Sequence, residues 1–137
     1  MNRPAEPAPR STPPKVAVVV PIYNRLPHTR AFLQAFATVT YPNYEIIIVD
    51  DGSTDGSADA IEREFPSVRL LREEGNLWWT KATNIGVRDA LTRGADYVLT
   101  MNDDVTLDPS FLQTLVSYAE RHPRTLVGSM IYFAEDP

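Results

Sequence analysis

Asp103 and Asp104 are adjacent carboxylates at the end of an apolar run, Tyr97-Val98-Leu99-Thr100-Met101. Two such charges repel, and a divalent cation with oxygen ligands is a natural partner for them. A strand-end turn accounts for the same pair, because Asn and Asp favour turns. Asp50-Asp51-Gly52-Ser53 poses a parallel choice. Its carboxylates suit a base N–H or ribose hydroxyls, and the segment also reads as a turn leading into a Ser or Thr helix cap. The series Asp51-x-Ser53-x-Asp55-Gly56-x5-Glu62 approaches the spacing of a calcium loop, but such a loop follows a helix, and residues 45–49 read as a strand. An Asp-x-Asp phosphatase motif fails at Gly52. After the first apolar run stands Pro21-Ile22-Tyr23-Asn24-Arg25, with no glycine, so G-x-G-x-x-G is absent, and so is a Walker A loop. A nucleotide, if one binds, is therefore not held by a Gly-rich phosphate loop.

Something must bring these residues together. Val16-Ala17-Val18-Val19-Val20 is a continuous β-branched run, as expected of a strand buried on both faces. Further strands are expected over 45–50, 68–71, 97–101 and 126–133. Between them, helical spacing recurs. Pro27 suits a first turn, followed by Phe32, Leu33, Phe36 and Val39. Residues 57–65 place Ile61 and Phe65 on one side, and Pro66 stops the helix. Trp79, Ala82, Gly86 and Ala90 share a face, and Gly94 caps its end. Asp108-Pro109 is expected to start a last helix, with Asp as N-cap and Pro as first residue. Its stripe is Phe111, Leu112, Leu115, Val116 and Ala119, ending at His122-Pro123. Strands alternating with helices imply βαβ units and a mostly parallel sheet, an α/β three-layer architecture. Ligands bind such sheets beyond the carboxyl ends of the strands. Asn24, Asp50, Asp51, Asp103 and Asp104 all fall at that edge.

The chain of 137 residues fits one domain, and its 43% hydrophobic and 23% charged composition is that of a globular protein. A net charge of −5 argues against a nucleic-acid partner, which needs a basic footprint. With no cysteine, disulfides and Cys-based zinc sites are excluded. No apolar run reaches the roughly 20 residues of a transmembrane helix, and Arg3 is followed by no signal-peptide apolar region. Residues 1–14 hold five of the twelve prolines and read as a disordered tail, with an SH3-type ligand as the alternative. Trp78 and Trp79 are expected to pack, given the apolar area of their rings, with a sugar platform as the alternative. Glu73-Glu74 is expected to be a solvated loop.

Taken in order, Val18-Val19-Val20-Pro21-Ile22-Tyr23-Asn24, Ile47-Ile48-Val49-Asp50-Asp51-Gly52-Ser53-Thr54-Asp55-Gly56-Ser57, Asn84-x-Gly86 and Asn102-Asp103-Asp104 resemble the family 2 glycosyltransferases of GT-A fold. The resemblance covers 16 to about 133, and residues 75–86 are similar to a bacterial subgroup that includes rhamnosyltransferase-like proteins. It implies that 15–137 is the nucleotide-sugar-binding half of a GT-A domain, truncated after a fifth strand. Pro21, Tyr23 and Asn24 would line the base and ribose pocket. Asp51 would accept from a uracil-like N3–H with Asp50 supporting it, Lys81 would approach the diphosphate, Asp103 would hold the ribose or sugar, and Asp104 would bind Mg²⁺ or Mn²⁺. The usual Asp-x-Asp is here Asn102-x-Asp104, a departure that bears on metal affinity.

The implied reaction is inverting transfer from a UDP- or dTDP-linked donor to a hydroxyl of a saccharide or lipid-linked acceptor. The implied setting is bacterial cell-envelope polysaccharide synthesis, in the cytoplasm at the inner face of the membrane. The family's general base lies on a later segment, so no residue here is assigned that role. A chain that only binds nucleotide and a degenerate interaction domain are the alternatives. A sugar-1-phosphate nucleotidyltransferase is disfavoured by the missing Gly-rich first loop. The uncovered sheet edge of a truncated domain is expected to promote self-association.

Overall fold

Alternate residues of a strand face opposite sides of its sheet, and in Val16–Ile22 (β1) both sets are buried. Val16, Val18, Val20 and Ile22 enter one apolar cluster, and Ala17 and Val19 enter the other. The computed structural model describes residues 12–130. Its sheet also contains Tyr44–Asp50 (β2), Arg69–Arg72 (β3) and Tyr97–Thr100 (β4). The strands are parallel in the order β3-β2-β1-β4. The helices are Leu26–Phe36 (α1), Ser57–Glu64 (α2), Trp78–Thr92 (α3) and Phe111–Arg121 (α4).

The two faces are filled differently. Phe32, Leu33 and Phe36 of α1, Ile61 of α2 and Leu112 and Val116 of α4 cover one face with large side chains. On the other, α3 lies close to the sheet through Ala82 and Ala90. Gly86 makes that approach possible, since a Cβ there would stand 2.4 Å from Val19 Cγ1 and 3.0 Å from Val49 Cγ2. From β1 the chain winds outward to β3, then crosses over β1 through α3 to reach β4. The strand order therefore reverses at β1, and the loops after β1 and β4 diverge there, as at the ligand crevice of open α/β sheets.

Three boundaries differ from the sequence reading. The expected tail of 1–14 lies outside the described residues up to residue 11, but its last two residues are anchored. Pro13 O accepts from Asn43 Nδ2 at 2.8 Å, and Pro14 O accepts from the buried Tyr41 hydroxyl at 2.6 Å. Asp108 does not cap a helix directly. Its Oδ1 accepts from Ser110 N at 2.8 Å and Ser110 Oγ at 2.6 Å, a side-chain turn, and α4 begins at Phe111. The expected strand at 126–133 is absent from 126–130, where Leu126 and Met130 are exposed, and 131–133 lie outside the described residues. Gly128-Ser129 in the middle of that run has little strand preference, so its apolar flanks alone do not make a strand. Among the described residues no helix is long and apolar enough to cross a membrane.

Candidate functional site

A cleft of about 550 Å³ opens beyond the carboxyl ends of β1, β2 and β4. Pro21, Tyr23 and Arg25 line it from β1, Asp51 and Gly52 from β2, and Asn102 and Asp103 from β4. Its far wall is Glu74, Gly75 and Asn76 together with Trp78, Trp79 and Ala82. The β1 and β2 loops are joined where Asp51 N donates to Ile22 O at 3.0 Å. Gly52, at φ +77°, passes so close to the opposite loop that a Cβ would stand 2.9 Å from Gly75 Cα.

Asp51 organises the wall. Its Oδ1 accepts from Leu77 N at 2.8 Å and its Oδ2 from Trp78 N at 2.9 Å. The carboxylate thus satisfies two of the amides that the start of α3 leaves unpaired, with favourable alignment to the helix dipole. The same two bonds hold Trp78 at φ +58° and follow Asn76 at φ +63°. A bulky side chain in the left-handed region costs about 1–3 kcal/mol and persists only where neighbours enforce it. The result is an indole 80% exposed over the cleft, beside Trp79 at 53%. The expectation that both tryptophans pack is therefore corrected. Trp78 stands at the first position of α3 in left-handed backbone, off the face that Ala82, Gly86 and Ala90 present to the sheet, and the Trp79 indole is turned to Asn102.

The β4 side is equally ordered. Trp79 Nε1 donates to Asn102 Oδ1 at 3.0 Å. Asp103 is buried: Thr29 Oγ1 donates to its Oδ2 at 2.7 Å, and Arg25 Nε lies 3.2 Å from its Oδ1. Asp104 remains half exposed, with Arg25 Nη2 donating to its Oδ2 at 3.1 Å. Behind the cleft, Asn24 (φ +51°) fastens the β1 and β2 loops. Its amide donates to Ser53 Oγ at 2.8 Å, and its Oδ1 accepts from Thr54 N at 2.7 Å. Asp50 Oδ1 accepts from Ser53 N at 3.1 Å. Asp55 accepts from Leu26 N at 3.1 Å and from Ser57 N at 3.0 Å, so one carboxylate serves the starts of both α1 and α2. Burial pushes the Asp55 carboxyl up, but hydrogen bonds from the Ser57 hydroxyl and nearby backbone amides outweigh it and leave it below its ordinary value.

The sequence that builds these elements matches a known family. The Glycosyl transferase family 2 model matches residues 17–137, nearly the whole described fold. The chain belongs to glycosyl transferase family 2. It is similar to the N-acetylglucosaminyl-diphospho-decaprenol L-rhamnosyltransferase of Mycobacterium tuberculosis, at 30% identity over 128 residues, which is 88% of this chain and 41% of that protein. It is also similar to Glycosyltransferase GlyA of Streptococcus pneumoniae, at 35% identity over 88% of this chain and 17% of that protein. Among solved structures, the mannosyltransferase PcManGT from Pyrobaculum calidifontis, in complex with GDP-Man and Mn²⁺, superposes with a TM-score of 0.71. Identity there is 26%, covering 80% of this chain and 33% of that one. S. aureus TarS, at 24% identity and a TM-score of 0.69, shares the GT-A fold. The chain thus spans less than half the length of these relatives.

In this family 2 chain, the structure brings Pro21, Tyr23, Asp51 and Asp103 to one cleft. Asp104 is tied to that cleft through Arg25. Asn24 and Asp50 do not line it; their side chains fasten the supporting loops. Lys81 is an exposed residue of α3 outside the lining set. The sequence reading gives Arg25 no site role and makes a sugar platform the lesser reading of Trp78 and Trp79. Arg25 could have been found as a cation following a strand end on the edge that carries the acidic residues. The tryptophan pair could have been found from its place where the polar edge meets a helix start.

Proposed function

We propose that this chain forms the donor site of an inverting, metal-dependent glycosyltransferase. It would move a sugar from a UDP- or dTDP-linked donor to a hydroxyl of a saccharide or lipid-linked acceptor. The observation that carries this reading is the convergence of Tyr23, Asp51 and Asp103 on one cleft beside the half-exposed Asp104. A volume of about 550 Å³ falls in the range of small-molecule sites. The Tyr23 ring, exposed at the β1 end, offers a face to a base. Each Asp51 oxygen accepts one backbone amide and retains a lone pair for a base N–H. Trp78 and Trp79 present apolar faces to the sugar side.

The metal reading is supported by the type of donor present. Asp103 is held by Thr29 and Asn102 by Trp79, which leaves Asp104 as the exposed carboxylate. Among the described residues no three acidic or histidine side chains form a cage. Such a site suits Mg²⁺ or Mn²⁺ arriving with a diphosphate, because Mg²⁺ is commonly bound by one or two carboxylates plus substrate phosphates. The ion would supply charge neutralisation to the leaving diphosphate. Asp104 would hold it, Asp103 would orient the ribose or sugar, and the base would come from a later segment of the protein. The mannosyltransferase with GDP-Man and Mn²⁺ supports both donor and metal classes. The relative whose name is N-acetylglucosaminyl-diphospho-decaprenol L-rhamnosyltransferase supports a lipid-linked acceptor. A degenerate interaction domain without transfer activity is a second reading, favoured by the structural partners that hold both Asp51 and Asp103.

Calorimetric titration with UDP, dTDP and GDP, with and without Mn²⁺, tests the proposal. Metal-dependent binding of UDP or dTDP supports it, preferential binding of GDP corrects the base, and no binding by any of them removes the donor site. Light scattering checks the expected self-association of the chain.

A further inference from the structure

The charge pattern around Asp103 and Asp104 assigns Arg25 a role of its own. We propose that Arg25 is a displaceable counter-cation. It neutralises Asp104 in the ligand-free site and transfers to the diphosphate when metal and diphosphate bind together. The proposal rests on the donor-site reading above.

The two carboxylates are held unequally. Asp103 is only 3% exposed and has a neutral donor in the buried Thr29 hydroxyl at 2.7 Å, one helical turn beyond Arg25 on α1. It therefore keeps a partner when the guanidinium moves. Asp104 is 47% exposed and takes Arg25 Nη2 at 3.1 Å. A divalent cation at Asp104 would meet that guanidinium as a like charge within contact range, so the two cannot share the carboxylate. Metal binding at this site is a competition with Arg25.

The guanidinium is also imperfectly satisfied where it stands. Its Nε lies 3.2 Å from Asp103 Oδ1, an ion-pair distance, yet the buried N–H makes no hydrogen bond of acceptable geometry. The angle matters more than the distance here, because a misaligned N–H bonds weakly. A planar guanidinium with five donors suits pairs of phosphate oxygens better than this skewed contact. Arg25 lines the cleft itself, so a diphosphate there lies within the reach of its side chain. An anion that draws Arg25 away leaves Asp104 free for the metal, and the metal's charge retains the anion. Metal and diphosphate would then bind cooperatively, each weak alone.

The test uses the full chain, Mn²⁺ alone, and inorganic pyrophosphate alone as a diphosphate free of base and sugar. Free Mn²⁺ is followed by electron paramagnetic resonance, and pyrophosphate by calorimetry. Arg25→Gln should bind Mn²⁺ alone about two- to fivefold more tightly than wild type, the scale of one surface charge contact. It should bind pyrophosphate without metal about tenfold more weakly, the scale of a charge-assisted hydrogen bond. Arg25→Lys retains the charge without the fork, so it should match wild type for Mn²⁺ and still lose pyrophosphate affinity. Circular dichroism confirms the fold of each variant, and Arg25→Lys carries the test if Arg25→Gln does not fold. Unchanged or weaker Mn²⁺ binding by a folded Arg25→Gln would overturn the proposal, as would unchanged pyrophosphate binding by Arg25→Lys. If wild type binds neither Mn²⁺ with pyrophosphate nor any nucleotide, the donor-site reading falls and takes this one with it.

Discussion

The two rims of the sheet carry similar side chains and use them in opposite ways. At the amino-end rim, Lys15 Nζ lies 2.9 Å and Arg93 Nη2 3.1 Å from the Glu45 carboxylate, while Arg69 grips Asp89 with two bonds of 2.6 Å. Charges there close on one another. In the cleft at the carboxyl end, Asp51 is held by backbone amides, and Asp103 and Asp104 share the guanidinium of Arg25, with the Thr29 hydroxyl also on Asp103, so the acids are not matched by adjacent cations of similar number. Among the described residues, Arg25 is the one cation that reaches the Asp103-Asp104 pair. Neutral donors fix a carboxylate in place and leave its charge available to a ligand, whereas ion pairs consume it. The rim proposed to bind the donor differs in how its acids are held rather than in how many it has.

Substitutions at the two rims should separate these roles. Asp51→Ala should have the largest effect, because two amides at the start of α3 lose their acceptor. We expect a loss of about 1–3 kcal/mol in urea unfolding and a ten- to hundredfold weaker nucleotide affinity by calorimetry. Trp78→Gly should move stability and binding in opposite directions. Removing a bulky residue at φ +58° should stabilise the fold by about 1 kcal/mol, while the cleft loses its exposed indole and binds donor more weakly. A Trp78→Gly protein that is less stable would show that the ring packs after all. Asp89→Ala, at the opposite rim, should cost at most about 1 kcal/mol and leave nucleotide affinity unchanged.

The smallest effect is on acid stability. Hydrogen bonds from Arg69 hold the Asp89 carboxyl below its ordinary value of 3.8, despite some opposition from burial. For Glu45, burial acts upward, but bonds from Lys15 and Arg93 prevail and leave it below 4.5. Both groups bind protons less readily folded than unfolded. Their stabilising contribution is therefore present above those unfolded values and is lost as pH falls through the lower folded ones. Asp89→Asn should flatten the decline in melting temperature below pH 3.8. An unaltered acid limb would mean that the amino-end pairs contribute nothing measurable.

Much of this arrangement was legible in the sequence. The continuous runs of β1 and β2 could only be strands buried on two sides, and their polar ends marked the binding edge before any family was considered. Gly86 was visible as part of Asn84-x-Gly86, but its reason, contact with Val19, needed the packing of α3 on the sheet. Roles that depend on a partner distant in sequence were not legible. Asn24 meets Thr54, and Trp78 is positioned by Asp51. Arg25 escaped notice because its meaning lies in residues 78 and 79 positions further along the chain. The strand expected at 126–133 rested on apolar content alone, and pairing rather than content makes a strand.

The most direct test of the donor-site claim is calorimetric titration of UDP and dTDP with and without Mn²⁺, comparing wild type with Asp104→Ala. The account predicts that Mn²⁺ strengthens binding to wild type and that Asp104→Ala abolishes the strengthening while leaving the circular dichroism spectrum unchanged. Equal nucleotide affinity with and without Mn²⁺, unaffected by Asp104→Ala, would contradict it.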